Sequence, residues 1–462
     1  MKRYGFFVWV CGFSFYVCEG ATWRNWGNTQ ECSPQQIFYP ANAQEVIAII
    51  KDAAVKKIPL KAIGSSHSWS DLISTDGFLI STNNLDKVLW IDRSQCQIKV
   101  EAGIKLHELI AVLAENGLAL SNQGFITEQS IAGAAATATH GTGKAYALSD
   151  YIIGMEIIDA DGHIHTVSEA SNPEWLPLAR VSLGALGFIY TITLQCEPAF
   201  NLRHSRINID LNDIIDNYQS FYESHDFFMF MLAPSSQTAL AYFWDRTDEE
   251  PNTGFLHYFA NDCVFNRFLN CMAIQALSHA RNISSYMLLT GLSALQMEEH
   301  VDHSYISLSP MKTPLTVDWY IEQEFAVDFA DFRPAFTDML EIYKQYDPSA
   351  SKLSSIITCR FGPSSELSYL NPAFGRNTAY LTINIMNHFD DYQDFFHDLE
   401  HAMLRYNGRA HWGKFHFLDH EKIKKLYNQD HFRAFNQLRK VLDPNGLFTN
   451  DFVLRCFGSI SD

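Results

Sequence analysis

The sequence predicts a mixed α+β chain of more than one domain, on three observations. Strand-like and helix-period segments alternate through residues 21–200, the composition turns aromatic-rich beyond residue 200, and a helix and turn close the chain. A length of 462 residues leaves room for two or three domains with cores of their own. At 47% hydrophobic and 19% charged, the composition is that of a packed globular protein and excludes a disordered one. A formal charge of −18 with no basic cluster excludes a nucleic-acid partner.

Residues 1–20 open on Met1-Lys2-Arg3 and run apolar through residues 6–18. A positive start and an apolar centre are those of a secretory leader, which predicts a secreted or periplasmic protein. The other reading is a hydrophobic N-terminal strand or an interfacial anchor. The block is too short to span a bilayer, so no stable membrane span is expected once the leader is removed. Seven cysteines lie beyond it, Cys32, Cys96, Cys196, Cys263, Cys271, Cys359 and Cys456, an odd set without close pairs or metal-ligand spacing. They read mostly as small buried hydrophobes, and no metal is expected. Asn282-Ile283-Ser284 fits a glycosylation acceptor.

In chain order, Asn42 with Glu45 three residues on can cap a helix whose face is Val46, Ile49, Ile50, Ala53 and Ala54. Strands are expected at 59–63, 77–81, 88–91 and 97–101. Leu106, Leu109, Ile110 and Leu113 make a second helix face that Gly117 can end. Asp161-Gly162 between two apolar runs is a hairpin signal, and an alternating strand over 190–196 stops at Pro198. Beyond residue 200 the pattern predicts paired strands at 227–232 and 239–244, helices at 332–346 and 390–406, and a strand at 380–386. A helix from residue 431, the turn Asp443-Pro444-Asn445-Gly446 and a short apolar end follow.

Two stretches carry chemistry. Gly64-Ser65-Ser66-His67-Ser68 follows an apolar strand and presents one imidazole on a small flexible backbone, an arrangement suited to holding a ligand. By itself a histidine in a serine-rich turn is also an ordinary solvated residue. Residues 129–143 are almost wholly small, and include Ser130, Gly133, Ala134, Thr139, His140, Gly141 and Thr142. Such a run lets backbone come against a flat or phosphorylated ligand, or else forms a tightly packed helix.

With Trp23-Arg24-Asn25-Trp26, Cys32-Ser33-Pro34, Ser182-Leu183-Gly184-Ala185-Leu186-Gly187, His411-Trp412-Gly413-Lys414 and Asp443-Pro444, these stretches resemble, in order, the vanillyl-alcohol-oxidase type of FAD-linked oxidoreductase, in its sugar-1,4-lactone and alditol oxidase branch. The resemblance covers about residues 21–457. It implies a two-lobed PCMH-type FAD-binding domain over 21–200, a mixed α/β substrate (cap) domain over 201–410, and a C-terminal segment, 411–462, returning to the FAD domain. It also implies FAD bound covalently through His67, with Gly64, Ser65, Ser66, Ser68 and Gly187 around it and the run from Ser130 to Thr142 along the pyrophosphate and the ring. Lys414 would place a cation where the reduced ring becomes anionic.

Two positions depart from the family. Ser66 stands where a glycine is usual before the linking histidine. Thr358-Cys359-Arg360 stands where Glu-x-Arg is expected, which keeps Arg360 as a substrate and flavin contact but loses the carboxylate. Either another acid substitutes, with Glu324 the candidate, or the substrate differs, or the chain binds flavin without this chemistry. Asn384 is a further candidate for a substrate hydrogen bond. The expected activity is oxidation of an alcohol carbon of an aldono-1,4-lactone, such as gulono- or arabinono-lactone, by hydride transfer to flavin, with O2 or another acceptor. The alternatives are an alditol or other carbohydrate oxidase of the same fold, and a secreted flavin-binding protein with lost or altered catalysis.

Overall fold

The computed structural model describes residues 5–10, 13–19, 22–253, 299–308, 320–347, 354–386 and 392–460. Three sheets organise it. In the first, Gln36–Phe38, Phe78–Ser81 and Leu60–Ile63 lie parallel, so the chain must cross over between them. Helix Ala43–Lys56 makes one crossover, burying Val46, Ile49, Ile50 and Ala53 in a core shared with Leu60, Phe78 and Ile80. Its start is fixed reciprocally: Glu45 N–H donates to Asn42 Oδ1 at 3.0 Å, and Ala41 N–H donates to Glu45 Oε2 at 2.8 Å. Its end uses Lys57 in the left-handed region at φ 56°.

The stretch read as a leader is here a backbone hairpin, Gly5–Val10 with Phe13–Glu19, paired on to Gln36–Phe38. The second sheet is antiparallel, ordered Ile164–Ser168, Ile152–Ile158, Phe188–Gln195, Gln97–Glu101, Val88–Asp92. Its expected hairpin turns at Gly162, φ 80°, with Asp159 accepting from the Asp161 and His163 amides. Helix Leu106–Glu115 buries the predicted face and ends before Gly117, φ 69°.

Residues beyond 200 build one antiparallel sheet: Glu299–His303, Asn201–Asp210, Thr238–Thr247, Phe227–Leu232, Ser354–Gly362, Thr378–Met386, Tyr320–Asp328 and Arg409–Ala410. Strand alternation gives it two faces of opposite character. Ile357, Cys359, Phe361, Leu381, Ile383, Ile385 and Phe325 share a core with helices Leu211–Ser224, Phe332–Tyr346 and Tyr392–Leu404. Thr358, Arg360, Thr382, Asn384, Glu322 and Glu324 occupy the other face.

The C-terminal segment packs against the first half. Leu60 N–H donates to Leu447 O at 2.8 Å and Ala160 N–H to Leu442 O at 2.9 Å. Its end, read as a short apolar tail, is helix Asp451–Phe457, capped by Asn450. Cys32, Cys96, Cys196, Cys359 and Cys456 are free thiols, the last three buried. Cys263, Cys271 and the Asn282 triplet lie outside the described residues. Among those described, no helix is long and apolar enough to cross a membrane.

Asn450 tests the tail's hold. Its side chain donates to the carbonyls of Asp71, Leu72 and Ser74 and accepts from Val453 N–H. Asn450→Ala removes both the clamp and the cap and is expected to cost about 2–3 kcal/mol, read as a lower urea midpoint at unchanged slope.

Candidate active site

Segments from the first two sheets line a cavity of about 100 Å³. Gly64, Ser65, Ser66, His67, Ser68, Ser130, Gly133, Ala134 and Gly187 all line it. Both readings of the small-residue run hold for its first part: helix Ile131–Ala136 is closely packed, and it faces the cavity. Glycine is required at 64, where a Cβ would stand 2.1 Å from Ser130 Oγ, and the loop at Leu183 and Gly184 runs left-handed at φ 54° and 60°. Lys61, which the sequence reading did not single out, is buried at the same cavity and donates to Gly184 O at 2.9 Å and Phe448 O at 3.2 Å. Burial, with Arg439 adding to it and Asp443 opposing, brings its pKa down to about 7.

The His67 loop is braced on two sides. Ser66 sits at φ 60°, the reason a glycine suits this position, and accepts from Trp23 Nε1 at 3.2 Å while its carbonyl accepts from Trp26 N–H at 2.8 Å. The Trp26 ring stacks on His67, centroids 5.1 Å apart. From the other side, Trp69 N–H donates to Gly413 O at 2.7 Å and Ser70 Oγ to Trp412 O at 2.9 Å. The His411-Trp412-Gly413-Lys414 turn is thereby held against the loop. Burial, helped by the Lys414 and Lys105 charges, lowers the His67 pKa to about 4, so its imidazole is neutral and nucleophilic at ordinary pH.

On the polar face of the large sheet, pairing registers set the side chains in rows. Thr358, Thr382 and Glu324 form one row, and Ile356, Asn384 and Glu322 the next. Glu324 is 1% exposed, and both its oxygens are engaged: His140 Nε2 lies 2.8 Å from Oε1, and Thr382 Oγ1 donates to Oε2 at 2.7 Å. Burial pushes this carboxyl up, but His140, His411 and Lys414 outweigh it and hold it well below the usual range. Glu324, the candidate substitute base, is thus bonded to the protein through both oxygens. It ties the His140 segment to the sheet.

The second part of the small-residue run lies elsewhere. Thr139, His140, Gly141 and Thr142 do not line the large cavity. His140 stacks on Tyr380 at 3.5 Å, and Thr142 Oγ1 donates to Phe228 O, so this part docks the two halves. The donor atoms of His140, Glu324 and His411 lie within 4.8 Å of one another, yet both His140 nitrogens and both Glu324 oxygens already have hydrogen-bond partners. Hydrogen bonding within the protein, rather than an open ligand set, accounts for the cluster.

Lys414 is paired with Glu322 and lies 4.3 Å from the Trp69 ring centroid. Arg360 lies 4.3 Å from the Phe125 ring centroid, and among the described residues its Nε has no hydrogen-bond partner; neither has Asn384 Oδ1. A buried donor and a buried acceptor are thus left open on one face. Glu322 escaped the sequence reading, although strand alternation in Glu-Gln-Glu puts it on the same face as Glu324.

Residues 192–456 match the family model for D-arabinono-1,4-lactone oxidase, and residues 34–168 match that for the FAD binding domain. The chain belongs to the D-arabinono-1,4-lactone oxidase family. It is an FAD-dependent oxidoreductase, and the cavity offers the cofactor a glycine-permitted backbone approach and a buried lysine. Relatives of this family member include L-gulonolactone oxidase of Mus musculus, 28% identical over 95% of this chain and 99% of the relative. L-gulono-1,4-lactone dehydrogenase of Mycobacterium tuberculosis is 30% identical over 94% and 99%. Among solved structures, cholesterol oxidase from B. sterolicum superposes with a TM-score of 0.79 at 15% identity, covering 96% of this chain and 97% of that one. A xylooligosaccharide oxidase from Myceliophthora thermophila gives 0.69 at 14%, covering 94% of each. These two share the fold.

Burial also holds the His411 pKa down, to about 3, against the pull of Glu324. Histidines whose folded values lie below the unfolded 6.5 bind protons more readily when unfolded, so stability is complete above pH 6.5 and declines as pH falls towards 4 and 3. The depressed Glu324 adds loss in the same direction below about pH 4.5. The thermal midpoint of apoprotein should therefore fall steadily below pH 6.5, and Glu324→Gln should flatten the lowest part of that curve.

Proposed function

We propose that this protein oxidises an alcohol carbon of an aldono-1,4-lactone of the gulono or arabinono type, passing hydride to FAD, with O2 as the acceptor and H2O2 as the second product. The observation that carries this reading is on the sheet face, where Arg360 Nε and Asn384 Oδ1 are each buried without a hydrogen-bond partner among the described residues. A donor and an acceptor buried without partners suit a ligand rich in hydroxyl and carbonyl groups. Whole-length similarity to enzymes named for gulonolactone supports the same substrate class.

The roles follow from position. FAD, when bound, supplies the hydride acceptor. The cavity backbone at Gly64, Ser130, Gly133 and Gly187 would hold it, and His67 is the proposed point of covalent attachment. Arg360 and Asn384 orient the lactone. Lys414 presents a cation close to the His67 loop, where negative charge develops as electrons arrive. An alditol or another polyol would present hydroxyls to the same open donor and acceptor, which gives a second reading of the donor.

Anaerobic mixing with a panel of aldonolactones, alditols and aldoses tests both. Bleaching of the flavin by lactones supports the first reading, bleaching by alditols alone supports the second, and none at all supports a flavin-binding protein without turnover. Peroxide yield per donor oxidised reads the acceptor. His67→Ala is expected to abolish covalent flavin while the fold persists, which acid denaturation and fluorescence of the gel band will show. Lys414→Met should slow flavin reduction at least tenfold with little change in donor affinity. Secretion through the N-terminal leader is part of the proposal: a mature chain starting near residue 21 supports it, and one starting at Met1 does not.

A further inference from the structure

Two carboxylates stand on strand Tyr320–Asp328 and face the same side, so their hydrogen bonds decide what each can do. Both oxygens of Glu324 are taken, by His140 and Thr382. Glu322 is also buried, at 6% exposure, but only its Oε2 is engaged, by Lys414. No partner holds Oε1 among the described residues. Its row neighbour across the strand pair is Asn384, whose Oδ1 is open, and one pleat, about 7 Å, along the face lies the row of Thr358, where the family carboxylate is missing. Tyr320 stands one pleat from Glu322 on the same face, and its ring packs edge-on to Trp26, which stacks on His67. Lys414, Glu322, Asn384 and Tyr320 thus stand together beside the His67 loop.

We infer that Glu322 is the general base of this enzyme, taking the part that Thr358 cannot play. The inference rests on the sheet face being the substrate site. As the carbon gives its hydride to the cofactor, the hydroxyl proton passes to Glu322 Oε1 and the carbon becomes a carbonyl. Two electrons and a hydrogen leave with the hydride, one proton stays on Glu322, and flavin is the oxidant. Protonation removes the negative charge that Lys414 had been paired with, so the Lys414 cation is released towards the reduced ring at the step that makes the ring anionic. One proton transfer thereby serves both partners of the reaction.

The test uses flavin-loaded enzyme. Glu322→Gln keeps the shape of the side chain and should slow anaerobic flavin reduction about 100-fold, the usual worth of a positioned base, while product affinity stays within twofold. Its flavin midpoint potential should rise, because Lys414 loses its counter-charge, and this is read by reductive titration without any substrate. Glu322→Asp keeps the charge and retracts the acceptor by one methylene, so the rate should fall and the potential should hold. Glu322→Ala should regain rate on addition of formate, which fits the space beside Lys414. A Gln variant within threefold of the native rate, or an Ala variant that formate leaves unchanged, overturns the inference. If no lactone or polyol reduces native enzyme, the functional reading fails instead, and an unmoved potential in Glu322→Gln then overturns the Lys414 coupling on its own terms.

Discussion

The buried hydrogen bond between His140 and Glu324 is the contact on which the arrangement of the site depends. One partner comes from the cofactor half and the other from the large sheet, and each is at most 6% exposed. Two groups taken so far from water are tolerable only together and fully hydrogen-bonded. His140 is fixed by Gly141 O and by stacking on Tyr380, and Glu324 by Thr382. Removing either partner strands the other, a cost of about 3–5 kcal/mol in comparable buried pairs. The register this enforces also fixes the neighbouring rows. If Glu324 lies against His140, period-two alternation turns Glu322 and the cross-strand Asn384 to the same side, where Lys414 waits on the turn after Arg409–Ala410.

Small residues do the complementary work in the first half. The cavity exists because helix Ile131–Ala136 carries almost nothing beyond methyl groups and because Gly64 leaves room for Ser130. The His67 loop cannot hold its shape by itself, since Ser66 is in a left-handed conformation that a residue with a Cβ adopts reluctantly. Trp23, Trp26 and the Trp412-Gly413 carbonyls supply the constraint. A loop pinned by segments from both ends of the chain positions its histidine only when the tail has docked, which gives residues 411–457 a role in the site as well as in the core.

Much of this was legible in the sequence. Helix caps, hairpin turns and strand alternation gave nearly every element in the first half, because those signals are local: Asn42 with Glu45, Gly117, Asp161-Gly162. The family segments led to the cavity-lining loop at 64–68, to Gly187 and to Lys414. What escaped was decided by partners distant in sequence. Glu322 and Glu324 are two residues apart with identical local surroundings, and only His140 and Lys414, arriving from elsewhere, give them different hydrogen bonds. His140 was read as a cofactor contact because small residues surround it, whereas its ring is spent on the sheet. Lys61 reads as an ordinary strand lysine until the tail closes over it.

The charge layout carries the last step. A chain with formal charge −18 repels an anionic dinucleotide at long range. Around the cavity the sign is reversed. Lys61 is buried at its wall, Lys105 reaches Ser65 Oγ at 2.9 Å on the loop, and Lys414 and Lys105 both act on His67. Beyond about 10 Å in ordinary salt the global charge is screened, whereas these buried and half-buried cations are not. The attraction is therefore short-ranged and confined to the cavity. Burial keeps His67 neutral and Lys414 and Lys105 add to it, so the field that draws the cofactor also helps to leave the imidazole lone pair free for it.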